Sequence, residues 1–99
     1  MSQTIVPHQD ESVAITCRLI NHKGIHARTA AKIVQCAQNF KAEIIVCFGE
    51  TCVNGHSILG LMMLGLKRGD TFTLKATGPQ APEALSALGS LIENKFGEE

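Results

Sequence analysis

The sequence predicts an α+β domain, an antiparallel sheet covered on one face by helices. Three observations predict it. Apolar residues alternate with polar ones in three short segments, recur at helical spacing in two others, and one of the alternating segments runs through a two-residue turn signal into a short return strand. The order reads strand, helix, strand, strand, helix, strand, helix.

Each element has its own signal. Val13, Ile15, Cys17 and Leu19 point one way and Ala14, Thr16 and Arg18 the other, as in a half-buried strand. Asn21-His22-Lys23-Gly24 is a turn cluster. A helix follows from near His26 to about Asn39, with Ala30, Ile33, Val34 and Ala37 on one face and Arg28, Lys32, Gln35 and Gln38 opposite. Ala42, Ile44, Val46 and Phe48 alternate along a second strand, Gly49-Glu50 turns the chain, and Thr51 to Asn54 returns as its hairpin partner. Ser57 is placed to cap a brief apolar helix, Ile58 to Leu64, that Gly65 ends. After the Arg68-Gly69-Asp70 turn, Phe72, Leu74 and Ala76 mark a fourth strand over 71–76. A last helix starts after Pro79, tolerates Pro82 in its first turn, buries Ala84, Leu85, Leu88, Leu91 and Ile92, and closes at Gly97.

The 99 residues fit one domain, and 44% hydrophobic content fills a single core. Residues 1–11 are polar, non-periodic and include Pro7, so they read as a flexible N-terminal arm ahead of a single domain over 12–99. Nine basic and nine acidic residues cancel, and Tyr and Trp are absent, which argues against nucleic acid as a partner. The start lacks a basic region and an apolar run of signal-peptide length. The longest apolar stretch, Ile58 to Leu66, is broken by two glycines and is too short to span a bilayer. A cytoplasmic monomer that does not insert in membranes is the expectation.

Four cysteines stand at 17, 36, 47 and 52, with no pair at the two-residue spacing that lets thiolates grip a metal from a tight turn. They read as reduced thiols acting as small half-buried hydrophobes. A metal held by His22, His56, Cys47 and Cys52 is the competing reading, and the missing spacing counts against it. No metal and no cofactor is expected.

Gly24-Ile25-His26-Ala27-Arg28-Thr29-Ala30-Ala31 is the informative segment. It places an imidazole where a turn becomes a helix. The first-turn amides of a helix lack intrahelical partners and carry partial positive charge, so an anion arriving there meets donors already aimed at it. Gly24, Ala27 and Thr29 frame that terminus, and Arg28 adds a permanent cation with forked donors suited to phosphate oxygens. A neutral imidazole nitrogen at such a place can attack phosphorus, and the helix terminus with Arg28 can hold the charge that results. Spacing alone equally suits a capping or solvated histidine.

The segment resembles the active-site motif of HPr, the histidine-containing phosphocarrier family of the bacterial phosphotransferase system, which usually runs Gly-Leu/Met-His-Ala/Thr-Arg-Pro-Ala. Ser57 to Leu66 is similar to that family's regulatory-serine segment, and the likeness covers about residues 12–97. Ala76-Thr77-Gly78-Pro79-Gln80 with Glu83-Ala84-Leu85 is especially similar to the nitrogen-regulatory branch. The resemblance implies an open-faced β-sandwich of four antiparallel strands with three helices on one face (βαββαβα). It implies that His26 takes a phosphoryl group on Nδ1 from phosphorylated enzyme I, itself charged by phosphoenolpyruvate, and hands it to an EIIA-type protein for sugar uptake or regulation. Arg28 matches the family's phosphate-facing arginine. The family's proline is Thr29 here, which restores an N–H and a hydroxyl and is expected to loosen the turn, with a small effect on rate or phosphohistidine lifetime. Glu99 lies beyond the matched stretch and takes no role from it.

Ser57 also resembles the target of HPr kinase/phosphorylase, a third partner that the likeness implies. Phosphate there would sit well at a helix start but would charge a docking surface. A helix apolar nearly all round cannot bury every side chain, so Leu59, Met62 and Met63 are expected to form an exposed docking patch. The alternative function is a regulatory binding module whose partners are selected by phosphorylation of His26 and Ser57. His8 and His22 read as solvated, and His56 as a residue that tunes a kinase contact.

Overall fold

A computed structural model of the chain describes residues 5–7 and 12–98. Its elements are β1 (Val6–Pro7), β2 (Val13–Arg18), α1 (Ala27–Ala37), β3 (Glu43–Phe48), β4 (Thr51–Asn54), α2 (Ile58–Met63), β5 (Thr71–Thr77) and α3 (Ala81–Glu93), followed by a 3-10 turn, Lys95–Gly97. The four longer strands and three helices follow the expected order. Among the described residues the sheet runs β1-β2-β5-β3-β4, antiparallel throughout. Two residues of the segment read as an arm, Val6 and Pro7, pair with Ala14 and Val13 at the sheet edge. Positions 1–4 and 8–11 of that segment lie outside the described residues.

Period-two alternation sends Ile15, Cys17, Ile44, Val46, Phe72, Leu74 and Ala76 to one face of the sheet, where all are buried. The helices close that face: α3 against β2 and β5, α1 beside α3, and α2 between α1 and β4. Their apolar stripes supply Ala30, Ile33, Val34, Leu61, Leu85, Leu88 and Ile92 to the same core. A buried leucine or isoleucine contributes roughly 1.5–3 kcal/mol, so this layer carries the stability. Among the described residues no helix is long and apolar enough to cross a membrane.

Two expectations need correction. The last helix does not run on to Gly97. It ends at Glu93, where the Asn94 side chain donates to the Ser90 carbonyl at 2.9 Å and competes with helix continuation. Lys95 and Phe96 then take left-handed backbone angles (φ 53° and 59°), which bends the chain back and buries Phe96. The cysteines are not all thiols either. Cys47 and Cys52 are directly opposite on the β3–β4 hairpin, Cα atoms 4.1 Å apart, and are joined as a disulfide. This removes both sulfurs from the competing metal reading. Cys17 is buried on β2, and Cys36 is half-buried on α1, where burial pushes its thiol pKa up.

Register fixes where the loops gather. The last residue of β2, Arg18, pairs with the first of β5, Thr71, and Cys47 pairs with Thr73. The hairpin turn at Gly49-Glu50 and the loop from β2 into α1 therefore sit at the same end of the sheet.

Candidate functional site

Residues 21–26 carry the chain from β2 into α1 through a conformation that only glycine allows. Gly24 has φ +69°, and a Cβ there would stand 2.7 Å from the Leu66 carbonyl oxygen. That close approach lets the Ile25 N–H donate to the same Leu66 oxygen at 3.1 Å. Asn21 is buried and donates from Nδ2 to the Gly24 carbonyl at 2.8 Å. The loop is thereby locked immediately ahead of His26.

His26 is the N-cap of α1, with extended backbone angles (φ −131°, ψ −173°). Its side chain does what serine or aspartate usually does there. Nδ1 accepts from the Arg28 backbone N–H at 3.3 Å. An accepting Nδ1 carries a lone pair and no proton, so the neutral ring holds its hydrogen on Nε2. The ring is 31% exposed, but Nε2 itself is enclosed and has no hydrogen-bond partner among the described residues. Oxygen Oε1 of Glu98 faces it from 3.9 Å. The nitrogen with the free electron pair thus points at the mouth of α1.

Thr29 does not loosen this turn. Its side chain is fully buried, Oγ1 accepts from the His26 N–H at 3.0 Å, and the hydroxyl lies 3.1 Å from the Gly24 carbonyl and 3.3 Å from the His26 carbonyl. With the His26 cap this completes a reciprocal capping box. A proline would set φ; the threonine instead ties His26 to the loop before it. Ala27, exposed, supplies the first amide of the helix, which has no intrahelical acceptor.

No local sequence signal points to the third group at the site. The Glu98 carboxylate pairs with the Arg28 guanidinium through Nε, with Nη2 at 3.5 Å, and Lys32 Nζ stands 3.3 Å away. Lys32 also donates to the Phe96 carbonyl at 2.7 Å, fastening the C-terminal turn to α1. The hydrogen bond from Arg28, with help from Lys32, holds the Glu98 carboxyl down at about 2, against an ordinary 4.5. The same contact raises the Arg28 pKa. Seventy positions separate Arg28 and Glu98, and no local spacing signals such a contact. Asn21, His22, Lys23, Arg28 and Glu98 line an open cleft between the loop ahead of α1 and the Arg28–Glu98 pair.

Ser57 caps α2, its Oγ accepting from the Gly60 N–H at 3.0 Å. On that helix Leu59, Met62 and Met63 are 69%, 42% and 75% exposed, with Ile58 beside them at 41%. His56 donates its backbone N–H to Asn54 Oδ1, and its Nε2 lies 3.3 Å from the Ala42 carbonyl, so it braces the loop ahead of Ser57. His22 Nδ1 is 3.4 Å from an Arg68 nitrogen. Among the described residues no three His, Cys, Asp or Glu side chains converge to hold a metal ion.

Comparison with known proteins bears on this arrangement. Residues 13–94 match the family model of the PTS HPr component phosphorylation site. The chain is 44% identical over 80 residues to the phosphocarrier protein HPr of Cupriavidus necator, covering 81% of this chain and 90% of that protein. It is 41% identical over 80 residues to the phosphocarrier protein NPr of Shewanella violacea, covering 81% and 88%. The crystal structure of HPr-C-His from Thermoanaerobacter tengcongensis superimposes with a TM-score of 0.83 at 44% identity, covering 87% of this chain and 97% of that one.

Proposed function

The chain belongs to the HPr family of phosphotransferase-system phosphocarriers, and we propose that it takes a phosphoryl group from phosphorylated enzyme I on Nδ1 of His26 and passes it to an EIIA-type protein in the cytoplasm. One observation carries this reading: Nδ1 accepts the Arg28 N–H and so faces the first-turn amides of α1, and the Arg28 side chain belongs to that same turn.

The chemistry follows from that orientation. The Nδ1 lone pair attacks the phosphorus of the donor's phosphohistidine, and the bond to the donor nitrogen breaks as the new P–N bond forms. The Arg28 N–H, which now donates to Nδ1, is released to donate to a phosphoryl oxygen, and the Ala27 amide lies next to it. The ring keeps its Nε2 hydrogen and gains positive charge, which the Glu98 carboxylate faces. Arg28 exchanges part of its contact with Glu98 for the phosphoryl oxygens, while Lys32 retains the carboxylate. Gly24 and Thr29 keep the imidazole from turning away.

The test is incubation with phosphoenolpyruvate and enzyme I. One phosphate should be added, labile to acid and stable to alkali, and His26→Ala should abolish it. Equal labelling of the mutant would exclude His26. Transfer is then measured to sugar-type and nitrogen-type EIIA proteins in parallel.

Ser57 supports a second reading, regulation of partner choice. Its hydroxyl sits at the start of α2 beside exposed Leu59, Met62 and Met63, so phosphate from an HPr kinase/phosphorylase would place charge at that apolar patch. If the chain acts only as a binding module, it will label on His26 yet pass phosphate to neither EIIA type.

A further inference from the structure

The disulfide lies outside everything the phosphate site uses. Cys47 and Cys52 belong to the helix-free face of the sheet, since Ile44 and Val46 on β3 point to the core and Val53 packs against it from β4. Their row across the sheet continues through Thr73 to Thr16. Cys52 is exposed and Cys47 half-buried, so a small molecule reaches the bond from solvent.

A disulfide stabilises most when it closes a long loop that would otherwise be free. This one spans a sequence separation of 5 within a hairpin already paired on both sides, Val46 with Val53 and Phe48 with Thr51. The ladder places the two Cα atoms 4.1 Å apart, and opening the bond leaves the sulfurs facing each other on the same backbone. The bond therefore holds little that the strands do not, while the strands hold both sulfurs ready to rejoin. Exposed bonds of this kind are the labile ones.

We propose that Cys47 and Cys52 form a thiol–disulfide exchange site that cycles between dithiol and disulfide with a small-molecule thiol couple of the glutathione class, the fold being kept in both states. In reduction, a thiolate attacks the exposed Cys52 sulfur. The S–S bond breaks and its electron pair leaves with Cys47, which takes up a proton. A second thiolate attacks the small molecule's sulfur in the mixed disulfide, releasing Cys52 as a thiolate that is then protonated, together with one small-molecule disulfide. Two electrons and two protons pass to the protein. Oxidation runs the same steps in reverse. His26 takes no part.

The experiment titrates the full chain, undenatured, in reduced and oxidised glutathione, with acid quenching, N-ethylmaleimide labelling and peptide mass spectrometry. Cys47 and Cys52 should gain their labels together over a graded range of the couple. The circular-dichroism melting transition should persist in both forms, and His26→Ala should titrate identically. Cys47→Ser should trap one glutathione on Cys52, whereas the wild type accumulates none. Two results would each overturn the proposal: labelling of this pair only after denaturant is added, or loss of the folded transition on reduction. The wild-type titration stands without the variant.

Discussion

Replacing Thr29 by valine keeps the shape of a fully buried side chain and removes only its hydroxyl. That oxygen is the acceptor for the His26 N–H at 3.0 Å and lies 3.1 Å from the Gly24 carbonyl. A buried polar group left without a partner costs about 1–3 kcal/mol. The two groups lose unequal amounts here. The Gly24 carbonyl retains the Asn21 amide at 2.8 Å, so its loss is small. The His26 N–H loses its side-chain acceptor at a residue only partly buried, which puts it at the low end of the range. The sum is about 1–2 kcal/mol, or roughly 5–15 °C of melting temperature for a domain of this size. Thermal unfolding followed by circular dichroism measures it. Thr29→Pro should lose less than Thr29→Val, because a fixed φ in the first turn restricts the unfolded chain. On the proposed function, Thr29→Val should also slow phosphoryl acceptance several-fold, since the ring hangs on the backbone that the hydroxyl ties down. A valine variant that melts within about 2 °C of the wild type would show that the capping box contributes nothing measurable, and the argument for Thr29 as the anchor of His26 would fail.

Two further outcomes follow from the same geometry. Glu98 titrates near 2 when folded and near 4.5 when free, a depressed value, so its contribution to stability is present above the ordinary carboxylate range and drains away as pH falls from there through about 2. Melting curves taken from neutral pH downward should therefore fall more steeply for the wild type than for Glu98→Gln, and parallel curves would refute the contact's role. Met63→Ala, at a side chain 75% exposed, should change stability by no more than about 0.5 kcal/mol and, on the proposed function, lower the rate of transfer to the acceptor protein. An unchanged transfer rate, measured beside an unchanged melting curve, would remove Met63 from the docking surface.

What the sequence disclosed is what local periodicity can carry. Alternation at Val13 to Leu19 and at Phe72 to Ala76, the stripe Ala30-Ile33-Val34-Ala37, and Ser57 ahead of an apolar run each depend on neighbours within one or two turns, and each element formed, although the first strand stops at Arg18 and buries Ala14 on its other face as well. The position of His26 at a helix mouth was legible for the same reason. The direction of its ring was not, because it depends on the Arg28 amide and on a carboxylate brought from the far end of the chain. The Cys47–Cys52 bond is the instructive case. A spacing unsuited to a zinc site becomes, once the chain turns at Gly49-Glu50, the spacing that sets two residues directly opposite each other. The cue lay in hairpin register rather than in cysteine spacing. Thr29 escaped because its effect comes from a hydroxyl reaching both back to Gly24 and across to His26, which propensity in a helix does not express.

If His26 takes the phosphoryl group as proposed, a carboxylate beside it looks self-defeating, and the geometry explains why it would not be. Glu98 pairs with Arg28 at rest and holds the guanidinium beside the mouth of α1. An incoming phosphoryl group must compete for that guanidinium, and it brings about two negative charges against one. The competition favours the phosphoryl group only while it sits on Nδ1, within reach of the helix amides as well. Lys32 also holds the carboxylate, at 3.3 Å, and the left-handed turn at Lys95 and Phe96 brings it back to α1. Glu98 therefore stands ready to reclaim Arg28 as the group departs. A carrier needs its bound state to be neither much better nor much worse than those of its donor and acceptor, because over-stabilised phosphohistidine would stall the relay. Glu98→Gln would remove the competitor, and on this reasoning it should lengthen phosphohistidine lifetime and slow onward transfer while leaving acceptance fast.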